Sequence, residues 1–204
     1  MIGVVVYVAV DVVLQFLPPH YSPISEAESN LAVGPIGWVM NLNFFGRAVT
    51  SFAAVGALLA VARGARVKKR LRLPGLLVPG LALLALGGIC SAALAFFPTD
   101  VAAAGLSVFA VSVGGTVHMA VATVGFAGAL AALVLLTLWV SRSGCLPAAR
   151  RSAVAFTALA LVGVVFLALT LTVLPSLLGL AERLCLLGIL GWTYAVARGI
   201  RRLR

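Results

Sequence analysis

Three long stretches of this chain, Leu73 to Thr99, Val101 to Ser141 and Ser152 to Ala181, contain no Asp, Glu, Lys or Arg. A helix on the surface of a soluble domain keeps one polar, usually charged face. Runs without charge belong in hydrocarbon, where about 20 apolar residues rising roughly 1.5 Å each cross a core about 30 Å thick. Composition agrees, because 63% of the 204 residues are hydrophobic, 10% are charged and the mean hydropathy is +1.18. Soluble domains carry about 25% charged residues, and their apolar share is about 45–50%. The scarcity of charge excludes a disordered chain, and three cysteines are too few for a disulfide scaffold. The class expected is all-α, a polytopic transmembrane helix bundle forming a single integral membrane domain over residues 1–204.

The net charge of +10 is distributed in a way that bears on threading rather than on nucleic acid. Of 15 basic residues, 13 fall in three short segments. The first holds Arg63, Arg66, Lys68, Lys69, Arg70 and Arg72, the second Arg142, Arg150 and Arg151, and the third Arg198, Arg201, Arg202 and Arg204. None of the five acids, Asp11, Glu26, Glu28, Asp100 and Glu182, lies in these segments. Cytoplasmic loops carry such an excess of Lys and Arg, so all three should face the cytoplasm. No nucleic-acid partner is implied.

Six spans are expected, at about 2–17, 37–62, 76–97, 116–140, 153–174 and 178–197, which puts both termini in the cytoplasm. The first is short, carries Asp11 and stops at Pro18-Pro19. It lacks a positively charged leader and a small-residue cleavage site. A short uncleaved helix, its cytoplasmic end clipped at the start of the chain, is therefore expected over a signal peptide. An apolar segment before the fourth span is placed at the outer interface. Trp139 and Trp192 fall toward inner ends and Trp38 at an outer end, where indole rings anchor in the interface. Cys90, Cys145 and Cys185 have no CxxC or metal spacing and read as small hydrophobes.

Ionisable groups at membrane depth are costly, about 2.5–3.5 kcal/mol on insertion scales, and so mark a function or a partner. Arg47 lies about ten residues into the second span, on the order of 15 Å deep at 1.5 Å per residue. Asn43, four residues earlier, shares its face. Arg47 needs an anion, and Glu182 or Asp11 can supply it, each five or six residues inside the outer end of its helix. Arg183 points about 100° away from Glu182 and can serve a different acceptor. These groups form an ion-pair lock between helices or a polar pocket open to the outer face, or one of them snorkels to a lipid headgroup.

The loop after the first span contains His20, Ser22, Ser25, Glu26 and Glu28. Ser25 and Glu28 have capping-box spacing, which predicts a short interfacial helix starting near Glu26. Asp100 and His118 can approach from the same side, either as a pair or beside the loop. A Ser–His–Asp set from Ser22 or Ser25, His118 and Asp100 lacks a nucleophile elbow and an oxyanion-hole motif. Zinc binding by His20, His118, Glu26, Glu28 and Asp100 lacks an i, i+4 histidine pair, so no metal is assigned. Gly87-Gly88, Gly114-Gly115, Gly125 and Gly128 suit close helix packing in lipid. The absence of a P-loop excludes a self-powered pump, and no cofactor is implied.

Several ordered features bear on family. They are Gly34-Pro35-Ile36-Gly37-Trp38-Val39-Met40, Phe97-Pro98-Thr99-Asp100, His118 with Ala120 and Ala122, and Gly179-Leu180-Ala181-Glu182-Arg183 with Trp192. In that order the chain resembles, over nearly its whole length, the prokaryotic membrane family called domain of unknown function 998. It is more distantly similar to six-span proteins of the DRAM/Frag type. The resemblance implies a six-helix membrane protein and carries over no catalytic residue. Positions matching the family pattern, Asp100, His118, Glu182 and Arg183, are candidates for a shared polar site.

The leading reading is a non-enzymatic structural, sensing or accessory component of the bacterial cytoplasmic membrane. Its partners would be the bilayer and a lipid headgroup or small solute held in the outer half, with a homo-oligomer or larger membrane complex left open. The alternatives are a membrane-embedded enzyme acting on a lipid through Asp100, His118, Glu182 and Arg183, and a transporter or channel subunit without evident internal repeat.

Overall fold

The computed structural model describes residues 1–17, 20–67, 74–101 and 112–203, all helix, turn or loop without a strand among them. The Pro18-Pro19 stop, Lys68, Lys69, Arg70 and Arg72 of the first basic loop, the apolar segment ahead of the fourth run, and Arg204 lie outside these residues. The described helices are α1 (Ile2–Leu14), α2 (Gly37–Val67), α3 (Pro74–Leu94), α4 (Val113–Ser143), α5 (Arg150–Thr170) and α6 (Leu178–Arg201). Five of them, α2 to α6, are long and apolar enough to cross a membrane.

α1 differs, with 13 residues where the sequence predicts a span of about 2–17. At 1.5 Å per residue it is about 20 Å long, short of a hydrocarbon core of about 30 Å. Its buried stripe is Val4, Tyr7, Asp11 and Leu14, at helical spacing, while Val5, Val6, Val12 and Val13 face outward.

Local chemistry sets the other ends. The Ser112 hydroxyl accepts the Gly115 N–H at 2.9 Å and caps α4, and Gly144 closes that helix at φ 66°, a conformation costly for residues with a Cβ. Pro147 and Pro175 each open a 3-10 turn that leads into α5 and α6, respectively.

The bundle has two centres. The larger is apolar and lies among the end of α2, the start of α3, the end of α4, α5 and α6, with Leu58, Leu81, Leu133, Leu136, Trp139 and Trp192 in it. Trp139 and Trp192 are both fully buried, which corrects their expected place as interfacial anchors. Sequence position gives depth along a helix but not the direction in which a ring points. The Trp192 Nε1–H donates to Thr137 Oγ1 at 2.7 Å, and Thr137 pairs with Thr157 at 2.8 Å, which satisfies an otherwise costly buried donor. The second centre gathers Val4, Tyr7, Leu14, Met40, Phe44, Leu94 and Leu190 beneath the α1–α2 loop.

α5 and α6 approach through small residues. A Cβ at Gly188 would meet the backbone of Ala160, and one at Gly163 the backbone of Cys185. In lipid such van der Waals contact drives helix association. Gly188→Leu should therefore reduce the yield of monodisperse protein on size exclusion and lower its melting temperature, because overpacking of this kind costs about 1–3 kcal/mol or more.

Candidate polar site at the loop end of the bundle

Tyr7 and Asp11 stand one turn apart on α1, Asn43 and Arg47 one turn apart on α2, and Glu182 and Arg183 open α6. The loop from His20 to Ile36 lies across all three helices. Its seat on α6 is backbone to backbone, with the Leu180 N–H donating to Ile24 O at 2.9 Å and so satisfying a first-turn donor that no intrahelical carbonyl can reach. Gly179 permits this approach, since a Cβ there would strike the carbonyls of Pro23 and Glu26.

Arg183 is the clamp. Its Nη1 donates to the carbonyls of Pro23 (3.1 Å), Glu26 (3.4 Å) and Gly179 (3.4 Å). Its Nη2 donates to the Tyr21 hydroxyl at 2.7 Å and pairs with Asp11 Oδ1 at 3.4 Å. The guanidinium also lies 5.3 Å from the Tyr21 ring centre. Tyr21 in turn donates to the carbonyls of Glu26 and Ala27, at 2.9 and 3.0 Å. Asp11 is held on its other oxygen by the Gln15 amide, 2.8 Å away. A planar five-donor fork serves this many acceptors where a lysine ammonium could not.

Glu28 is the most enclosed acid, with 4% of its surface exposed. Tyr7 Oη donates to its Oε2 at 2.8 Å, and its own N–H donates to Glu182 Oε2 at 2.7 Å. It sits in the loop, outside the long helices. Burial first, and then the nearby Glu182 and Asp11 carboxylates, push its carboxyl up to about 8, against the pull of Arg47 and the Tyr7 hydroxyl.

Arg47 lies deeper and is 9% exposed. Its guanidinium carbon is 6.0 Å from the Tyr7 ring centre and 5.9 Å from that of Phe126 on α4. Electrostatically it faces Tyr7, Glu28 and Glu182. No carboxylate oxygen of the described residues comes within 4.0 Å of it. Asn43, on the same face, donates to the Tyr7 carbonyl at 3.0 Å and ties α2 to α1.

The residues singled out from sequence separate into groups. Asp11, Asn43, Arg47, Glu182 and Arg183 surround one polar centre, with Asp11 bound by Arg183 rather than by Arg47. Glu28 joins them. It does not complete a capping box with Ser25, and the predicted helix from Glu26 is instead a 3-10 turn, Glu28–Ala32, without a side-chain cap. Glu26 accepts the Ser22 N–H at 3.1 Å, and Ser22 Oγ accepts the Ser25 N–H at 3.4 Å, so these residues shape the loop. His20 is exposed.

Asp100 accepts the N–H and the hydroxyl of Ser112, each at 2.8 Å. His118 is buried, with Nδ1 2.7 Å from Phe97 O. These bonds tie the end of α3 to the start of α4, and neither serine of the loop is bonded to His118. Tyr7, Gln15 and Tyr21 were not singled out. The signal for the first two was Asp11 itself, because both lie four residues from it on the same face.

A family model described as "Protein of unknown function (DUF998)" matches residues 1–199. The chain belongs to this family. No curated protein and no solved structure matches it. In this DUF998 member the polar centre holds three carboxyl groups against two guanidiniums. A proton on Glu28 makes the set neutral, and the third carboxyl is the one raised to about 8. Among the described residues no three His, Cys, Asp or Glu side chains gather where they could hold a metal ion. The arrangement can bind, orient and exchange a proton.

Proposed function

We propose that this DUF998 protein is a six-span component of a bacterial cytoplasmic membrane, with both termini cytoplasmic. In this reading it acts as a sensing or accessory protein that holds a lipid headgroup or small solute in the outer half without transforming it. The basic segments between the runs support the orientation. So does the contact of Arg201 Nη1 with Met1 Sδ at 3.8 Å, which brings the start of α1 to the end of α6. The short α1 is then a span completed toward the outside by the strapped loop, which covers the polar centre.

The binding reading rests on Arg47. A buried guanidinium between two aromatic rings, interacting with the Tyr7 hydroxyl but with no carboxylate in contact, has further donors to offer an acceptor from outside the chain. Arg183 differs, because oxygens of the chain take both of its Nη groups and leave only its buried Nε without a partner.

The test is thermal stabilisation of the purified protein in nanodiscs by inorganic phosphate, acetate, phosphoethanolamine and phosphoglycerol, together with native mass spectrometry for retained lipid. At least one probe should raise the melting temperature, and Arg47→Gln should abolish that rise. No shift from any probe with no retained lipid, or an undiminished shift in Arg47→Gln, overturns the reading. Cysteine labelling at Ser29 and Ser143 tests the threading, and labelling of Ser143 from outside would reverse it.

A further inference from the structure

We propose that Glu28 is a proton-binding site that works a strap, with the His20–Ala32 segment seated on α1 and α6 while Glu28 is protonated and lifted to open the path to Arg47 when the proton leaves for water. The proposal rests on the binding reading only for what the opening serves, since the movement itself needs no ligand.

The geometry makes Glu28 the pivot of the strap. Its side chain takes the Tyr7 hydroxyl and its backbone N–H holds Glu182, so one residue fastens the loop to both flanking helices. The charged and titratable groups facing it are Tyr7 and Asp11 from α1, Arg47 from α2, Glu182 and Arg183 from α6, and Tyr21 from the loop. Arg183 is committed to Asp11, Tyr21 and three carbonyls. With Glu28 neutral, Asp11 and Glu182 balance Arg47 and Arg183.

Ionisation places a third negative charge in an enclosed site, facing two carboxylates. Like charges in such a site cannot all ionise cheaply, and each buried ion forfeits several kcal/mol of hydration. Arg47, the cation not in contact with a carboxylate, is beyond 4.0 Å. The shortest route to water is outward, because the strap is loop and 3-10 turn, fastened by polar contacts and by the apolar packing of Leu31 and Ala32 at its far end. Burial and the neighbouring acids place the change near pH 8.

The strap can be followed by the distance between spin labels at Ser25→Cys, exposed on the loop, and Leu187→Cys, exposed on α6, with Cys90, Cys145 and Cys185 replaced by alanine. Electron–electron resonance in nanodiscs without ligand should give one distance at pH 6 and a second, longer one at pH 9.5, with a midpoint near pH 8. Glu28→Gln, which keeps an acceptor for Tyr7 and carries no charge, should remain at the short distance throughout. Glu182→Gln, which removes a carboxylate that holds the Glu28 proton in place, should move the midpoint to lower pH. A single unchanged distance from pH 6 to 9.5 overturns the proposal, as does opening that persists in Glu28→Gln. The first of these outcomes would be seen if an ionised Glu28 collapsed onto Arg47. A strap that moves in a protein that binds none of the probes keeps this inference and removes the binding reading.

Discussion

Arg183→Met should lower the stability of the protein by about 3–5 kcal/mol, the scale seen when one partner of a buried ion pair is removed. Only 19% of the Arg183 side chain and 12% of the Asp11 side chain are exposed, so water cannot replace what is lost. The substitution leaves Asp11 against a methyl thioether, with the Gln15 amide as its remaining hydrogen-bond partner. It also strips the carbonyls of Pro23, Glu26 and Gly179 of their charged donor and leaves the Tyr21 hydroxyl without its cation. Asp11→Asn should cost less, because the amide keeps an oxygen for Arg183 or Gln15 and leaves no buried anion. Arg183→Lys should recover little, since a point charge on a flexible stem cannot span acceptors on α1, α6 and the loop together. Thermal melting of the variants in one detergent decides the order: equal melting temperatures for Arg183→Met and the parent would remove Arg183 from the role of clamp.

How far this site could be read from the residues follows from what a helix encodes. Ionisable groups inside apolar runs stand out whatever their partners, which is why Asp11, Arg47, Glu182 and Arg183 were visible. Periodicity also fixed relative direction within one helix, so Asn43 and Arg47 were rightly placed on one face. It says nothing about how one helix is turned against another. Arg47 was therefore matched to Asp11 or Glu182, whereas Asp11 went to Arg183 and Arg47 came to lie between aromatic rings. The same gap misplaced Trp139 and Trp192, at the depth of an interface by position but turned inward. Glu28 was misread for a different reason. Its spacing from Ser25 is that of a local cap, and a long-range claim by Tyr7 and Glu182 outweighed it, because an acid closed off from water needs partners wherever the chain brings them. For Asp100 and His118, the carbonyl of Phe97 and the cap at Ser112 satisfy them close by in sequence.

The stability of the folded protein should fall as pH rises from about 4.5 to about 8, with Glu28 responsible for a separable part of the slope. The sign follows from proton counting. An acid whose folded pKa lies above its unfolded value holds a proton in the native state through that window, while the unfolded chain has already released it. The unfolded state then binds fewer protons, and stability declines with pH by at most about 1.4 kcal/mol per unit for one group. Below the window both states hold the proton and above it neither does, so the Glu28 contribution is flat on either side. The measurement is denaturant or thermal unfolding of the parent and of Glu28→Gln at half-unit steps from pH 4 to 9. The difference between the two curves isolates Glu28 from the other acids. It should rise in favour of Glu28→Gln across the window and level off near pH 8, where the strap begins to open. A difference that stays constant across the window would mean that Glu28 is already ionised in the closed protein, in contact with a cation. Arg47 is the cation in a position to meet it, so the same curve reports whether Arg47 is kept for a molecule from outside or is answered within the chain.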